Sequence, residues 1–228
     1  GKKYADYYGV VCGKKTVFFT NNDSAYESAI SLNKKGLSVE AIIDIREKSD
    51  SELVKEVEKI GIQIYWSHTV VDARGYKRLK EIIIMPLSKD GMSVIEKKIN
   101  LKCDCLAIAG GWTPAVHLFT QSGGKLKFRE EDQVFLPNVS QSKQISIGSC
   151  NGDFKLNEII KNLIINVKNF LEIKNTEYDN LNIECSSDIV KKNIWLLPSY
   201  KVIGKTKPFV DFQNDVYVSD IELAVREG

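Results

Sequence analysis

Only two histidines, His68 and His117, occur in 228 residues, and no two of the five cysteines stand as Cys-x-x-Cys. A tetrahedral zinc site needs clustered His and Cys ligands, so these absences argue against one. Cys12, Cys103, Cys105, Cys150 and Cys185 are odd in number and scattered, which speaks against a disulfide framework and for a reducing, cytoplasmic setting. No apolar run approaches the ~20 residues of a membrane span, and the first fifteen residues do not read as a secretory signal. An excess of one charge is missing too: 32 basic against 30 acidic residues leave a formal +2, which implies no basic face for nucleic acid or membrane. Finally, no G-x-G-x-x-G stands where a strand–helix unit would carry its phosphate-binding glycines.

What is present is organised around 15–46. The apolar run Thr16–Thr20 leads into the polar loop Asn21–Asp23, a helical pattern over Ser24–Lys35, then Gly36 and a second apolar run, Val39–Ile45. Strand, helix and strand in about 30 residues read as a parallel βαβ unit. Ser24-x-x-Glu27 has the form of a capping box, and Gly36 is placed as a helix stop. Asp44 falls near the spacing of a ribose-binding acid. Yet Asp23 sets a carboxylate at the helix start, where a pyrophosphate would meet a like charge. The expectation is a self-capped helix without a phosphate, with Asp44 a polar strand end beside Arg46.

Along the rest of the chain, a helix over Ser51–Ile60 stops at Gly61 and a strand covers Ile62–Trp66. Thr69–Ala73, Leu79–Met85 and Met92–Leu101, separated by turns at Arg74-Gly75 and Lys89–Gly91, read as an antiparallel meander. Cys105–Ile108 is one more buried strand, ending at Gly110-Gly111. A short helix is expected from Thr113 (N-cap) and Pro114 to Gln121, and strands at Val134–Leu136 and Ile145–Ile147. The helix Leu156–Ile173 carries an apolar stripe that must be buried. Residues 174–192 read as a linker, followed by runs at Ile194–Leu197 and Phe209–Phe212 and a helix near Ser219. Both ends fall within helical patterns, as in a piece excised from a longer protein.

Three strings carry a resemblance: TNNDSAYE at Thr20–Glu27, DCLAIAGGWTPAVHLFTQSGGKL at Asp104–Leu126, and FVDFQNDVYVSDIELAVREG at Phe209–Gly228. On these the chain resembles the α subunits of heterotetrameric sarcosine oxidases. The order of elements is also similar to the inserted domain of two-domain flavoprotein disulfide reductases. The resemblance implies an α/β fold: a Rossmann-like three-layer insert domain with an antiparallel β-meander, plus part of a second dinucleotide-binding domain. Residues 1–12 would end a connecting helix, 13–102 form the insert domain, 103–175 part of the host domain, and 176–228 a linker and small terminal segment. The return strand at Cys105 is assigned to the host.

For the intact enzyme the resemblance implies oxidative demethylation of sarcosine, with transfer of the one-carbon unit to tetrahydrofolate. NAD would bind the α subunit, with FAD and FMN at the β subunit and the subunit boundary. The partners would be the other subunits. By that analogy Gly110, Gly111 and Trp112 would border NAD, and Gly148, Ser149 and Asn151 would offer it backbone N–H groups near a helix start. The stretch at Gly110 also reads as a plain tight turn from strand into helix. Ser149 stands where relatives carry an acid, and Asp211 and Gln213 stand where related amine-oxidising subunits carry iron–sulfur cysteines, so no cluster is expected. Cys103 and Cys105, two apart, read as buried thiols on one strand face. No nucleophile–base pair is present, so this stretch is expected to be non-catalytic. The alternative is a free-standing NADH-binding domain using Thr20–Asp23 and Asp44.

Overall fold

In the computed structural model, residues 1–110 run α1 (Lys2–Tyr8), β1 (Lys15–Thr20), α2 (Ser24–Lys34), β2 (Ser38–Asp44), α3 (Glu52–Ile60), β3 (Gln63–Trp66), β4 (His68–Gly75), β5 (Leu79–Pro86), β6 (Ile99–Lys102) and β7 (Cys105–Ala109). Two compact units, Gly1–Gly110 with Ile189–Gly228 and Gly111–Asp188, divide the chain; residues 1–172, 194, 196–198 and 208–228 are described. The expected linker at 174–192 and Cys185 lie outside them, as does Trp195 of the run at Ile194–Leu197.

In the first unit β3, β2, β1 and β7 pair in parallel in that order. Both faces of the central strands β1 and β2 are covered, which is why they read as continuous apolar runs rather than alternating ones, whereas the run at Cys105, expected to be buried, is an edge strand with no buried residue and Ile108 69% exposed. Phe18 and Ile42 point to the helical layer, packing with Ala25, Tyr26 and Ala29 of α2 and Val54 and Val57 of α3. Val17, Ala41 and Ile43 point the other way, into the antiparallel sheet β4-β5-β6 through Ile82 and Ile84. Helices, parallel sheet and meander make the three layers expected. Each fully buried Ile among them contributes about 2–3 kcal/mol of transfer free energy. Gly75 is required by space, since a Cβ there would fall 1.9 Å from the Arg78 carbonyl oxygen.

Four expectations for this unit are corrected. The Cys105 strand does not begin another domain: β7 pairs with β1 from Thr16↔Cys105 to Thr20↔Ala109 and forms the fourth strand of the same sheet. A short apolar run signals burial but not its partner, so the boundary belongs at Gly110, not 102. Second, of Met92–Leu101 only the end joins the meander; Met92 and Ile95 are exposed on a bent segment. Third, Cys103 and Cys105 face opposite layers, because the chain turns at Asp104: Cys103 enters the meander core, whereas Cys105 opens β7 beside Thr16. Finally, the capping box does not form. Asp23 takes the N-cap position without a side-chain cap bond, Ser24 is the first helical residue, and Glu27 pairs with Lys2.

The second unit is built from α4 (His117–Gln121), the hairpin β8 (Lys125–Arg129)–β9 (Val134–Val139), a 3-10 turn at Gly148–Asn151, and α5 (Leu156–Leu171). The helix expected from Thr113 begins only at His117, with Phe119 its one buried residue. Residues 145–147 form no strand, although Ile147 itself is extended. The apolar stripe of α5 is likewise not buried; no residue of the helix is, because within its unit it packs mainly on the Gly148–Asn151 turn. The terminal segment consists of β10 (Phe209–Asp211), β11 (Val216–Tyr217) and α6 (Val218–Glu227).

Candidate functional site

Ligands of doubly wound sheets sit beyond the carboxyl ends of the strands. At that end the register sets Ala109, Thr20, Asp44 and Trp66 side by side across the sheet. The loop after β1 is knitted to this row. Thr20 Oγ1 donates to the Asn22 carbonyl at 2.9 Å, and Asn22 Nδ2 donates to the Ala109 carbonyl at 3.1 Å. Asn22 Oδ1 accepts from both the backbone N–H (3.1 Å) and the hydroxyl of Ser24. One asparagine therefore satisfies the start of α2 in place of the capping box, leaving fewer free donors for an anion.

Arg46 fills the space in front of that loop. Its Nη2 donates to Asp44 Oδ2 at 2.7 Å and its Nε to Asp44 Oδ1 at 3.0 Å, a forked pair. Its Nη1 lies 2.7 Å from Asp23 Oδ1 as an ion pair. Tyr26 donates its hydroxyl to Asp44 Oδ2 at 2.8 Å, stacks its ring on Trp66, and meets the guanidinium at 5.9 Å from its centroid. Solvent reaches almost none of this: Asp44 is 0% exposed, Asp23 2% and Arg46 5%. Burial works against the charge on Arg46, but its bonds to Asp44 and then to Asp23 outweigh that and raise its pKa further. Burial first, and then the charge of Asp44, also pushes the Tyr26 phenol up.

Both oxygens of the would-be ribose acid are engaged from within, and the helix start presents a buried carboxylate where a phosphate needs N–H groups. Tyr26 was missed as a residue of the site, and Arg46 was expected beside Asp44 but not as its bridge to Asp23. The i, i+2 spacing of Asp44 and Arg46 and the i, i+3 spacing of Asp23 and Tyr26 are signals that could have found them.

The six residues expected beside NAD fall on both units. Gly110 closes the first, its carbonyl accepting from Asn21 Nδ2 at 2.9 Å; nothing lies within 4 Å of where its Cβ would be, so no close approach demands glycine there. Gly111, at φ 116°, and the half-exposed Trp112 open the second unit. Gly148, Ser149 and Asn151 come together on the 3-10 turn: Gly148 is buried at φ 78°, Ser149 is exposed, and Asn151 Nδ2 reaches Asp153 Oδ2 at 3.4 Å. His117 is exposed at the start of α4, and His68 Nδ1 meets the Trp66 carbonyl. Among the described residues no group of three or more His, Cys, Asp or Glu could hold a metal ion, and no helix is long and apolar enough to cross a membrane.

No protein-family model matches the chain. Along its whole length it is 27% identical to the sarcosine oxidase α subunit of Rhizobium meliloti (strain 1021), of which it covers 22%. It is 28% identical to that of Corynebacterium sp. (strain P-1), again over 100% of the chain and 24% of the relative. The expected resemblance is thus found, to a part of those subunits. Among solved structures, the Cu(II) complex of the HOCl-induced flavoprotein disulfide reductase RclA from Escherichia coli matches 70% of this chain and 36% of its own, at 16% identity and a TM-score of 0.49.

Proposed function

We propose that this chain is a non-catalytic part of an oxidoreductase subunit similar to the sarcosine oxidase α subunits. In this reading the first unit keeps the architecture of a dinucleotide-binding domain and has given up its ligand. The observation that carries it is the buried Asp23–Arg46–Asp44 cluster, which puts the protein's own side chains where a coenzyme would lie. The intact protein would oxidatively demethylate sarcosine in the cytoplasm and hand the one-carbon unit to tetrahydrofolate, in a heterotetramer whose other parts hold FAD and FMN. NAD, in this reading, binds the intact subunit beside Gly110–Trp112 and the Gly148–Asn151 turn, and no step is assigned to these residues. The rival reading, a free-standing NADH-binding domain, needs Thr20–Asp23 and Asp44 for coenzyme, and those groups are committed to one another.

Calorimetric titration of the 228-residue chain with NADH separates the two. The expected result is no saturable binding up to millimolar coenzyme. A dissociation constant in the micromolar range would overturn the proposal.

A further inference from the structure

At the opposite, amino end of the parallel sheet lies a cavity of about 250 Å³ under α1, and two thiols line it, Cys12 and Cys105, with Leu32, Leu37 and Ala107. The connection from α1 to β1, 9–14, has no helix or strand, and Cys12 on it is exposed. Gly13 rides directly over Cys105: a Cβ at that glycine would fall 2.5 Å from the Cys105 Cβ, so any side chain there would hold the two segments apart. The next residues are clamped to the same place, since the Lys14 and Lys15 N–H groups donate to the Asp104 carboxylate at 3.0 and 2.7 Å. Cys12 stands one Cα–Cα step from Gly13, about 3.8 Å. A shift of this irregular connection at Cys12 would bring its sulfur to that of Cys105, which lines the same cavity.

We propose that Cys12 and Cys105 are a redox couple, oxidised by a small disulfide of the glutathione class to an intramolecular bond that staples the α1–β1 connection to β7. The exposed Cys12 thiolate attacks one sulfur of the oxidant, whose other half leaves as a thiolate and takes up a proton. Cys105 then attacks the Cys12 sulfur of the mixed disulfide and expels the second thiol. Two protein thiols become one S–S bond, and the oxidant is reduced to two thiols. Burial pushes the Cys105 thiol up, a hydrogen bond with Thr16 pulls it back, and the charge of Cys12 acts on it from across the cavity. Cys105 is therefore the resolving thiol rather than the attacking one. Cys103 does not compete, being 2% exposed and turned into the meander core. This inference is independent of the coenzyme question.

The 228-residue chain is incubated with oxidised glutathione, its remaining thiols are alkylated, and the digest is mapped by mass spectrometry. The expected product is a cross-linked peptide pair holding Cys12 and Cys105, two hydrogens lighter than their sum. The melting temperature should rise by roughly 10 °C, as closure of a long loop implies, and return on adding dithiothreitol. Cys12→Ser, a change in an exposed connection, should abolish both effects, and Cys150→Ser should leave them. Cys12 recovered with glutathione still attached, or bridged to Cys185 or to a second chain while Cys105 is alkylated, would overturn the proposal.

Discussion

Asp23, Arg46 and Asp44 are charged and buried, whereas Leu156, Leu163, Phe170 and Leu171 are apolar and exposed. The first unit hides ions and the second displays hydrocarbon, and each inversion means something different. Buried ions are tolerated only when paired, so the cluster in the first unit defines a closed, self-consistent end of the sheet. The apolar stripe of α5 stands exposed among the described residues of its unit, and large exposed apolar faces are uncommon on monomers. One unit is finished at its ligand end; the other is unfinished along its longest helix.

The largest effect should come from breaking the ion cluster. Arg46→Met removes the one cation and leaves two buried carboxylates, which should cost about 4 kcal/mol in urea unfolding. Combining it with Asp23→Asn and Asp44→Asn should recover at least half of that. If Arg46→Met alone were neutral, the cluster would be no more than a surface pair. A smaller effect is expected at α5. The chain should show a mass above one chain in concentration-dependent light scattering, and Leu163→Lys with Phe170→Lys should return it to the monomer while changing unfolding free energy by less than about 1 kcal/mol. A monomer at high concentration before substitution would remove the contrast between the units.

A third, local effect concerns Tyr26, whose hydroxyl is one of several donors to Asp44. Tyr26→Phe should cost about 1.5 kcal/mol near neutrality, the typical worth of a hydrogen bond to a charged group. It should also change the alkaline limb. The folded phenol is raised above its ordinary value, so the unfolded chain loses this proton first as the pH climbs. Stability from this group is therefore complete below about pH 10 and declines above it, by up to about 1.4 kcal/mol per pH unit. The variant should lack that share of the slope, and an unchanged alkaline limb would place the phenol outside the cluster.

Much of the first unit was legible in its sequence, because apolar runs and helix stops are local signals. Gly36 and Gly61 sit just past α2 and α3 in left-handed conformation, and Ser51 caps α3 by accepting from the Val54 N–H. Pairing is not local, so the run at Cys105 revealed a strand but neither its place beside β1 nor that, as an edge strand, it has no buried residue. Capping was misread because two residues on either side of Asp23 compete for one role: Ser24 has the motif, but Asn22, held by Thr20 and Ala109, supplies the oxygen. The conflict of Asp23 with a phosphate was visible as charge alone. Arg46 was expected only as a neighbour of Asp44, since its bridge to Asp23 spans two elements that only the sheet brings together. In the second unit the stripe of α5 was legible as a pattern, while its exposure was not.

The most direct test of the central claim is heteronuclear NMR of the Arg46 Nε–H and Asn22 side-chain signals during addition of NADH. The account predicts a slowly exchanging Arg46 signal, protected by Asp44, and no saturating shift of either residue at millimolar coenzyme. Saturating shifts at Arg46 and Asn22 would contradict it, because the coenzyme would then be seated where these side chains already lie.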